Sequence, residues 1–373
     1  MKDHNIYPPT AASLSKLAAI QGDDRCVLTI YLPGSLTTGP DADEKLAELP
    51  AELLGDEGLT ADEAEHRDRS LDLWRAAVRR LSLPAAPGWL AVISWLTEDV
   101  ALMQLPAAVE AAAYLDNSPF LLPAARDLDD YEAYAVVYAD HARAAIYLAA
   151  LGRLTEEGRL RGDIKNHVKK GGWSQQRYER RRDKQIHYYC REIVEKLSKV
   201  VEADRLRRIV LAGDRILLGE LEKRMSSAMR KLVVCRLAVE GGKEPHAIFR
   251  ETLSAAEAEE RREERWLHDA IGSERAAGRP AVTGPEDTLA ALKEKRVRRL
   301  LIGPMKDVDF WRCRECGAFG LGPPAACPDC GKATYAQSAA NEFLDLAFEG
   351  GARVEITPDD LADIGGVGAL LRW

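Results

Sequence analysis

Four cysteines near the C-terminal end impose the strongest local constraint on how this chain can fold. Cys313 and Cys316 form one Cys-x-x-Cys pair, and Cys327 and Cys330 form a second pair after ten intervening residues. Each pair can hold one side of a tetrahedral ion, and thiolates suit Zn²⁺. We therefore expect a zinc knuckle within residues 311–333, and the ion would be structural because four thiolates fill its coordination sphere. Two redox-active Cys-x-x-Cys motifs are the alternative.

Length and composition indicate a soluble protein with several domains. The chain has 373 residues, 46% of them hydrophobic, and this length favours two or three domains over one. It contains no run of about 18 uncharged apolar residues, and its N-terminus lacks the basic and then apolar pattern of a secretory signal. We therefore expect a cytoplasmic location.

Hydrophobic periodicity divides the chain into three predicted domains of α/β and α+β character. Residues 1–130 are expected to form an α+β domain, residues 131–282 an α/β domain, and residues 283–373 a smaller α/β domain that carries the cysteine insert. Proline and acidic residues suggest a linker at 117–130, and glycine and proline suggest another at 272–285.

The middle domain alternates predicted strands and helices, which favours a parallel or mixed sheet. Its longest helix is expected over residues 176–201, because Ile186, Cys190, Ile193 and Leu197 recur at spacings of three and four and so share one face. A further helix is predicted over residues 217–228.

A basic segment precedes and enters this long helix. Between residues 161 and 184 there are nine positive residues and three negative ones, although the whole chain has a net charge of −8. A cationic projection on an acidic body suits contact with RNA phosphates at one place only. The candidate RNA-binding residues are Lys169, Lys170, Trp173, Arg177, Arg180, Arg181 and Arg182.

Within this segment, Gly171-Gly172-Trp173-Ser174-Gln175 admits three interpretations. Ser174 can cap the long helix while the cations are merely solvated. Ser174 can instead be a nucleophile helped by His167, although the Gly-x-Ser-x-Gly elbow of hydrolases is not matched. In the third interpretation the Gln175 amide orients a water, backbone N–H groups stabilise an oxyanion, and the glycines allow close approach to a ligand.

The segment KKGGWSQQRYERRRDKQI, followed by a long helix and IVLAG, resembles the middle domain of archaeal and eukaryotic class-1 peptide-chain release factors and of Pelota-type rescue proteins. Their Ser-x-x-Arg-Phe-x-Arg-x-Arg-like run is matched by Ser174, Arg177, Tyr178, Arg180 and Arg182. The C-terminal GGVGALLRW is similar to the end of their third domain, and zinc cysteines interrupt that domain in archaeal members. The resemblance implies a release-factor-like architecture of three domains.

One position departs from the release factors, whose catalytic loop has the sequence Gly-Gly-Gln. Trp173 stands where they have glutamine, and its indole has a donor but no acceptor with which to orient water. A Vms-like branch of peptidyl-tRNA hydrolases uses Gly-x-x-Gln, which Gly172-Trp173-Ser174-Gln175 matches. The resemblance therefore makes Gln175 the catalytic candidate, with Gly171 and Gly172 giving the loop its reach. Trp173 can stack on a nucleobase or pack against its own domain.

The resemblance implies a factor that enters the A site and hydrolyses the ester of peptidyl-tRNA on stalled ribosomes. The large-subunit rRNA and peptidyl-tRNA are the implied partners, together with an elongation-factor-like GTPase by family analogy. The chain lacks the Asn-Ile-Lys-Ser motif, so stop-codon decoding is not expected. The alternatives are a hibernation factor that occupies the A site without catalysis, and a nuclease that cleaves the tRNA near its 3′ end.

Overall fold

The computed structural model describes residues 5–37, 42–55, 58–81, 83–130, 133–150, 153–162, 173–203, 206–239, 245–305, 307–323 and 325–373. These residues fall into two compact units. One unit combines residues 1–130 with residues 263–373, and the other spans residues 131–262. No described helix has the length and apolar character needed to cross a membrane.

The first part of the larger unit contains a five-stranded sheet and four helices. The strands are β1 (Asn5–Tyr7), β2 (Val27–Pro33), β3 (Gly88–Ser94), β4 (Asp99–Leu105) and β5 (Ala112–Asp116). The helices are α1 (Ala11–Ala18), α2 (Ala42–Leu53), α3 (Ala61–Val78) and α4 (Leu122–Asp130). The strand order is β1-β4-β3-β2-β5, in which β1 runs parallel to β4 and the other pairs are antiparallel.

This sheet is covered on both faces, so the central strand β3 is buried along its whole length. Leu28 and Ile30 of β2 pack with Trp74 of α3 on one face. On the other face, Val27 and Tyr31 belong to a core that also contains Phe343 from the C-terminal part of the unit. Residues 1–130 therefore share one hydrophobic core with residues distant in sequence.

The second unit is built on a mixed sheet. Its elements are β6 (Tyr134–Ala139), β7 (Arg143–Ala150), β8 (Arg153–Arg161), α5 (Trp173–Ala203), β9 (Ile209–Gly213), α6 (Arg215–Arg224), α7 (Ser227–Lys231), β10 (Val233–Ala238) and α8 (Pro245–Ala276), of which α8 continues beyond the unit. The order is β10-β9-β6-β7-β8, with β10, β9 and β6 parallel and β6, β7 and β8 antiparallel.

Helix α5 covers one face of this sheet with the predicted apolar stripe. Ile186, Cys190, Ile193 and Leu197 are all buried against strand residues such as Val137. The predicted helix and the mixed α/β class are confirmed. Strand β8 was not predicted.

The C-terminal part of the larger unit adds two small sheets. Its elements are β11 (Ala281–Thr283), α9 (Pro285–Lys293), β12 (Val297–Ile302), β13 (Asp309–Cys313), β14 (Phe319–Leu321), β15 (Thr334–Ser338), α10 (Ala339–Glu349), β16 (Arg353–Ile356) and β17 (Val367–Leu371). The sheet orders are β11-β17-β12-β16 and β14-β13-β15. The cysteine pairs belong to the second of these sheets and its turns.

Three local predictions are wrong. Residues 117–130 include α4, and residues 272–285 include the end of α8 and strand β11, so neither is a simple linker. The helix predicted over 217–228 ends at Arg224, because Met225 is extended and Ser226 caps the separate helix α7. The two compact units have different bounds from the three predicted domains. Residues 263–282, which were assigned to the middle domain, group with residues 1–130 and 283–373. The three-domain division stays a prediction.

Candidate functional site

The predicted catalytic segment connects β8 to α5. Lys169, Lys170, Gly171 and Gly172, with His167, lie outside the described residues. The backbone of Trp173, Ser174, Gln175 and Arg177 belongs to the start of α5, which begins at Trp173 rather than at the predicted residue 176. Ser174 therefore lies inside the first helical turn, and its interpretation as the helix cap is wrong.

The helical start places Gln175 among backbone donors. The first four N–H groups of an α-helix have no acceptor within the helix, and the helix dipole adds partial positive charge at that end. Residues 173–176 occupy these positions in α5. The terminus is thus suited to an anionic or developing anionic oxygen.

Four described cations lie near the start of α5 and differ in exposure. Arg180, Arg181 and Lys184 are exposed, whereas Arg182 is half-buried. The guanidinium of Arg182 donates from Nη2 to Nε2 of His141 over 3.3 Å. Arg182 therefore holds α5 to the β6–β7 turn, while its neighbours are free to meet solvent or a ligand.

His141 lies at the carboxyl edge of the parallel strands β6 and β9. Its Nδ1 is 3.8 Å from Oδ2 of Asp214, the residue that follows β9. Asp214 also caps α6, because its Oδ1 accepts from the N–H groups of Ile216 and Leu217. The carboxyl edge of such strands is where α/β sheets commonly bind ligands.

Two glycines allow the elements to converge here. Gly213 has a φ of +134°, and a Cβ on it would lie 2.0 Å from the carbonyl oxygen of Ala139. A Cβ on Gly162, at the end of β8, would lie 2.6 Å from the carbonyl oxygen of His141. Both positions exclude a side chain, so the backbone is closely packed around the β6–β7 turn.

Asp140 organises the same turn. It accepts from the Tyr138 hydroxyl at 2.7 Å and from the N–H groups of Ala142 and Arg143 at 2.7 Å each. Burial opposes ionisation of the carboxyl, but these hydrogen bonds lower its pKa below the ordinary value. The turn that carries His141 is therefore held by an ionised carboxylate.

Neither His141 nor Asp214 is among the site residues predicted from the sequence. The available signal was positional, since Asp140-His141 directly follows one buried strand and Asp214 directly follows another. Recognising it required the knowledge that β6 and β9 are adjacent and parallel.

A second candidate site is the cysteine cluster. Its four Sγ atoms all lie within 4.8 Å of one another. The Sγ–Sγ distances are 3.5 Å between Cys313 and Cys330 and 3.7 Å between Cys316 and Cys327. A tetrahedron with metal–sulfur bonds of about 2.3 Å has edges of about 3.8 Å, so the arrangement fits a tetrahedral metal ion. The predicted clustering is confirmed.

The backbone of the first turn favours the thiolate form of Cys313. Burial opposes ionisation, but the N–H groups of Cys316 and Glu315 donate to its sulfur and lower its pKa to about 6. A thiolate is the form that binds a metal. The turn is therefore prepared for a cation.

The family match falls mainly on the second compact unit, residues 131–262. Residues 119–257 match the model of a family described as bacterial archaeo-eukaryotic release factor family 10. No curated protein sequence gives a significant match.

Solved structures show weaker likeness. The chain is similar to the crystal structure of an archaeal translation termination factor, with 17% identity, coverage of 99% of each chain and a TM-score of 0.27. Dom34 of S. cerevisiae, a translation termination-like factor involved in RNA quality control, has 10% identity, coverage of 77% of this chain and 86% of that chain, and a TM-score of 0.41. A ribosome-bound archaeal Pelota has 10% identity, coverage of 98% of this chain and 95% of that chain, and a TM-score of 0.41. Each of these TM-scores is below 0.5, so the likenesses support no further conclusion about this chain.

Proposed function

Because residues 119–257 match the model of a bacterial archaeo-eukaryotic release factor family, we propose that the chain is a member of the archaeo-eukaryotic release factor and Pelota superfamily and acts as a ribosome-associated rescue factor. In this proposal it enters the A site of a stalled ribosome in the cytoplasm and hydrolyses the ester between the nascent peptide and the P-site tRNA. The partners are the large-subunit rRNA and peptidyl-tRNA, with an elongation-factor-like GTPase as a third.

The observation that carries the proposal is the position of Gln175 in the first turn of α5. Its amide has both a donor and an acceptor and so can orient a water against the ester carbonyl. The N–H groups of the same turn, which have no acceptor within the helix, can stabilise the oxyanion that forms as the water attacks. The alcohol of the tRNA ribose then leaves, and the peptide acid is released.

The exposed cations on the following turns support delivery of this terminus to RNA. Arg180, Arg181 and Lys184 are exposed beyond the catalytic turn, and cations beside phosphates provide affinity that does not depend on sequence. Lys169 and Lys170, which precede α5 in sequence, would add cations to the same RNA contact.

We propose zinc as the ion of the cysteine cluster. All four ligands are thiolates, which favours Zn²⁺ and leaves no open coordination position for catalysis. The role of the metal is therefore to hold Cys313, Cys316, Cys327 and Cys330 together and to stabilise the turns between β13 and β15.

The proposed reaction is tested by peptide release from stalled ribosomal complexes. Gln175→Ala should lower the release rate by roughly 10²-fold, the size of effect that loss of one orienting or oxyanion-stabilising group produces. Gln176→Ala, which changes the neighbouring amide, is the matched control and should release peptide at nearly the unsubstituted rate.

The products separate the competing functions. Release with an intact tRNA CCA end supports ester hydrolysis, whereas a shortened tRNA would assign a nuclease. If the Gln175→Ala variant and the unsubstituted protein both bind ribosomes but release no peptide above background, the protein is a non-catalytic A-site occupant and the enzymatic proposal is wrong.

A further inference from the structure

The face of α5 opposite its buried stripe carries a regular pattern of cations and one aromatic ring. Arg181, Lys184, Tyr188 and Arg191 follow one another at spacings of three, four and three residues, which places them along one line of the helix. All four are exposed. We call these four residues the α5 stripe.

The stripe points away from the core of its own unit. The buried residues Ile186, Cys190, Ile193 and Leu197 occupy the opposite side of the helix. Tyr188 retains 65% of its surface exposed, which is unusual for a large aromatic side chain. A ring held in this position can present a flat face to a ligand.

Charge is concentrated in the same part of the helix. Residues 180–191 carry five positive side chains and one negative one, whereas residues 192–203 carry two positive and three negative ones. At the end of the stripe, Arg191 lies 3.8 Å from Glu195, the first acidic residue on the same line. The cationic surface is therefore bounded rather than spread over the whole helix.

Neighbouring groups extend the surface around Tyr188. The ring of His187 packs edge-on against Tyr188, with centroids 5.7 Å apart. Nη2 of Arg224 in α6 donates to Nδ1 of His187 over 3.0 Å. A guanidinium and an imidazole thus lie beside the exposed ring.

From this geometry we infer that the α5 stripe is a binding surface for single-stranded RNA, with phosphates on Arg181, Lys184 and Arg191 and an unpaired base stacked on Tyr188. An aromatic ring between cations matches the alternation of bases and phosphates in a single strand, and every base offers a π face for stacking. In a duplex the bases are already stacked on each other, so the ring would have no partner. The inference rests on the proposed function, because it names the class of RNA that the factor contacts beyond its catalytic turn.

The test measures binding of the full-length protein to a fluorescein-labelled, unstructured RNA of about 12 nucleotides by anisotropy. Tyr188→Ala should raise the Kd by about 5- to 150-fold, the range expected for loss of one base–aromatic stack. Tyr188→Phe, which keeps the ring, should bind like the unsubstituted protein.

Cation variants test the phosphate contacts separately. Arg181→Gln and Lys184→Gln should each weaken binding and each reduce the slope of log affinity against log salt by roughly 0.7. Trp266→Ala is the matched control: Trp266 of α8 is 55% exposed and lies 5.4 Å from the Arg299 guanidinium, so it resembles Tyr188 but is not part of the stripe. Its removal should leave the Kd unchanged.

Two outcomes would overturn the inference. One is unchanged RNA affinity in the Tyr188→Ala and cation variants while each retains the Tm of the unsubstituted protein. The other is equal loss of RNA binding in Tyr188→Ala and Trp266→Ala. If the same variants instead lose binding to poly-glutamate but not to RNA, the stripe binds an acidic protein.

The proposed function can fail independently of this inference. If Gln175→Ala releases peptide as well as the unsubstituted protein, but Tyr188→Ala loses RNA affinity, ester hydrolysis by Gln175 is wrong and the RNA surface stands. If Gln175→Ala abolishes release and Tyr188→Ala binds RNA normally, ester hydrolysis by Gln175 stands and the RNA-binding surface is wrong.

Discussion

Arg314, which lies between Cys313 and Cys316, forms an ion pair with the carboxylate of Glu63 in the first turn of α3. Glu63 is only 1% exposed and also closes a capping box by accepting from the N–H of Thr60 at 2.8 Å. Arg314 further donates to the carbonyl oxygen of Gly58 at 2.6 Å. The cysteine cluster is thereby attached to the N-terminal part of the same compact unit.

Removing the arginine should destabilise this unit strongly. Arg314→Ala leaves a buried carboxylate without its cation, and loss of one partner of a buried pair costs about 3 kcal/mol or more. Chemical denaturation of the metal-loaded protein would measure the change. Glu315→Ala, at the exposed neighbouring position, should have almost no effect, and equal effects of the two substitutions would contradict a role for the Glu63 pair.

Metal binding should require the clustered cysteines and no other thiol. Cys327→Ser should reduce the zinc content from about one ion per chain to nearly none and lower the Tm, because a tetrahedral site needs its four thiolates. Cys235→Ser should retain the metal, since Cys235 lies on β10 outside the cluster. Elemental analysis of the purified proteins gives the result, and a full complement of zinc in Cys327→Ser would exclude the site.

Two glycines of the second unit should respond in opposite directions to the same substitution. Gly213→Ala forces a Cβ to within 2.0 Å of the Ala139 carbonyl oxygen at a φ of +134°, so it should cost about 3 kcal/mol or more. Gly219→Ala adds a methyl group in open space within α6 and should stabilise the protein by roughly 0.5–1 kcal/mol.

Thermal and denaturant unfolding of both glycine variants provides the measurement. A tolerated alanine at Gly213 would mean that the carboxyl ends of β6 and β9 are not as close as described. The described positions of His141 and Asp214, which follow these strands, would then also be wrong.

Asp345 should make stability depend on pH. Burial raises the pKa of its carboxyl well above the ordinary value, although the Ser118 hydroxyl donates to it at 2.7 Å. The folded state therefore holds the proton more tightly than the unfolded state. The associated stability is present below the unfolded pKa, about 3.9, and is lost as the pH rises through the folded pKa.

Asp345→Asn removes this titration and should flatten the decline of the Tm as the pH rises above the unfolded pKa, about 3.9. The slope is the diagnostic quantity, because the amide also changes local hydrogen bonding at every pH. Asp307→Asn, at an exposed position, should retain the slope of the unsubstituted protein. An equally steep decline in Asp345→Asn would show that other groups cause it.

The sequence by itself predicted the features that depend on neighbouring residues. The spacing of Cys313, Cys316, Cys327 and Cys330 predicted that these four residues cluster. The buried face of α5 was predicted for the same reason, since residues three and four apart must share a side of a helix. Gln175 was selected from sequence resemblance, and its chemistry awaits the release assay.

Only the tertiary structure decided which distant segments meet. Asn341 accepts hydrogen bonds from the backbone N–H groups of Leu121 and Leu122, which joins the start of α4 to α10 across more than 200 residues of chain. Likewise, Arg182 bonds His141 while Arg181, the adjacent residue, faces outward. Local periodicity states which residues share a face, but the partner of that face depends on strand order and on cores assembled from remote parts of the chain. Those contacts leave no local pattern in the sequence, so His141, Asp214 and the shared core of residues 1–130 with 263–373 emerged only from the folded chain.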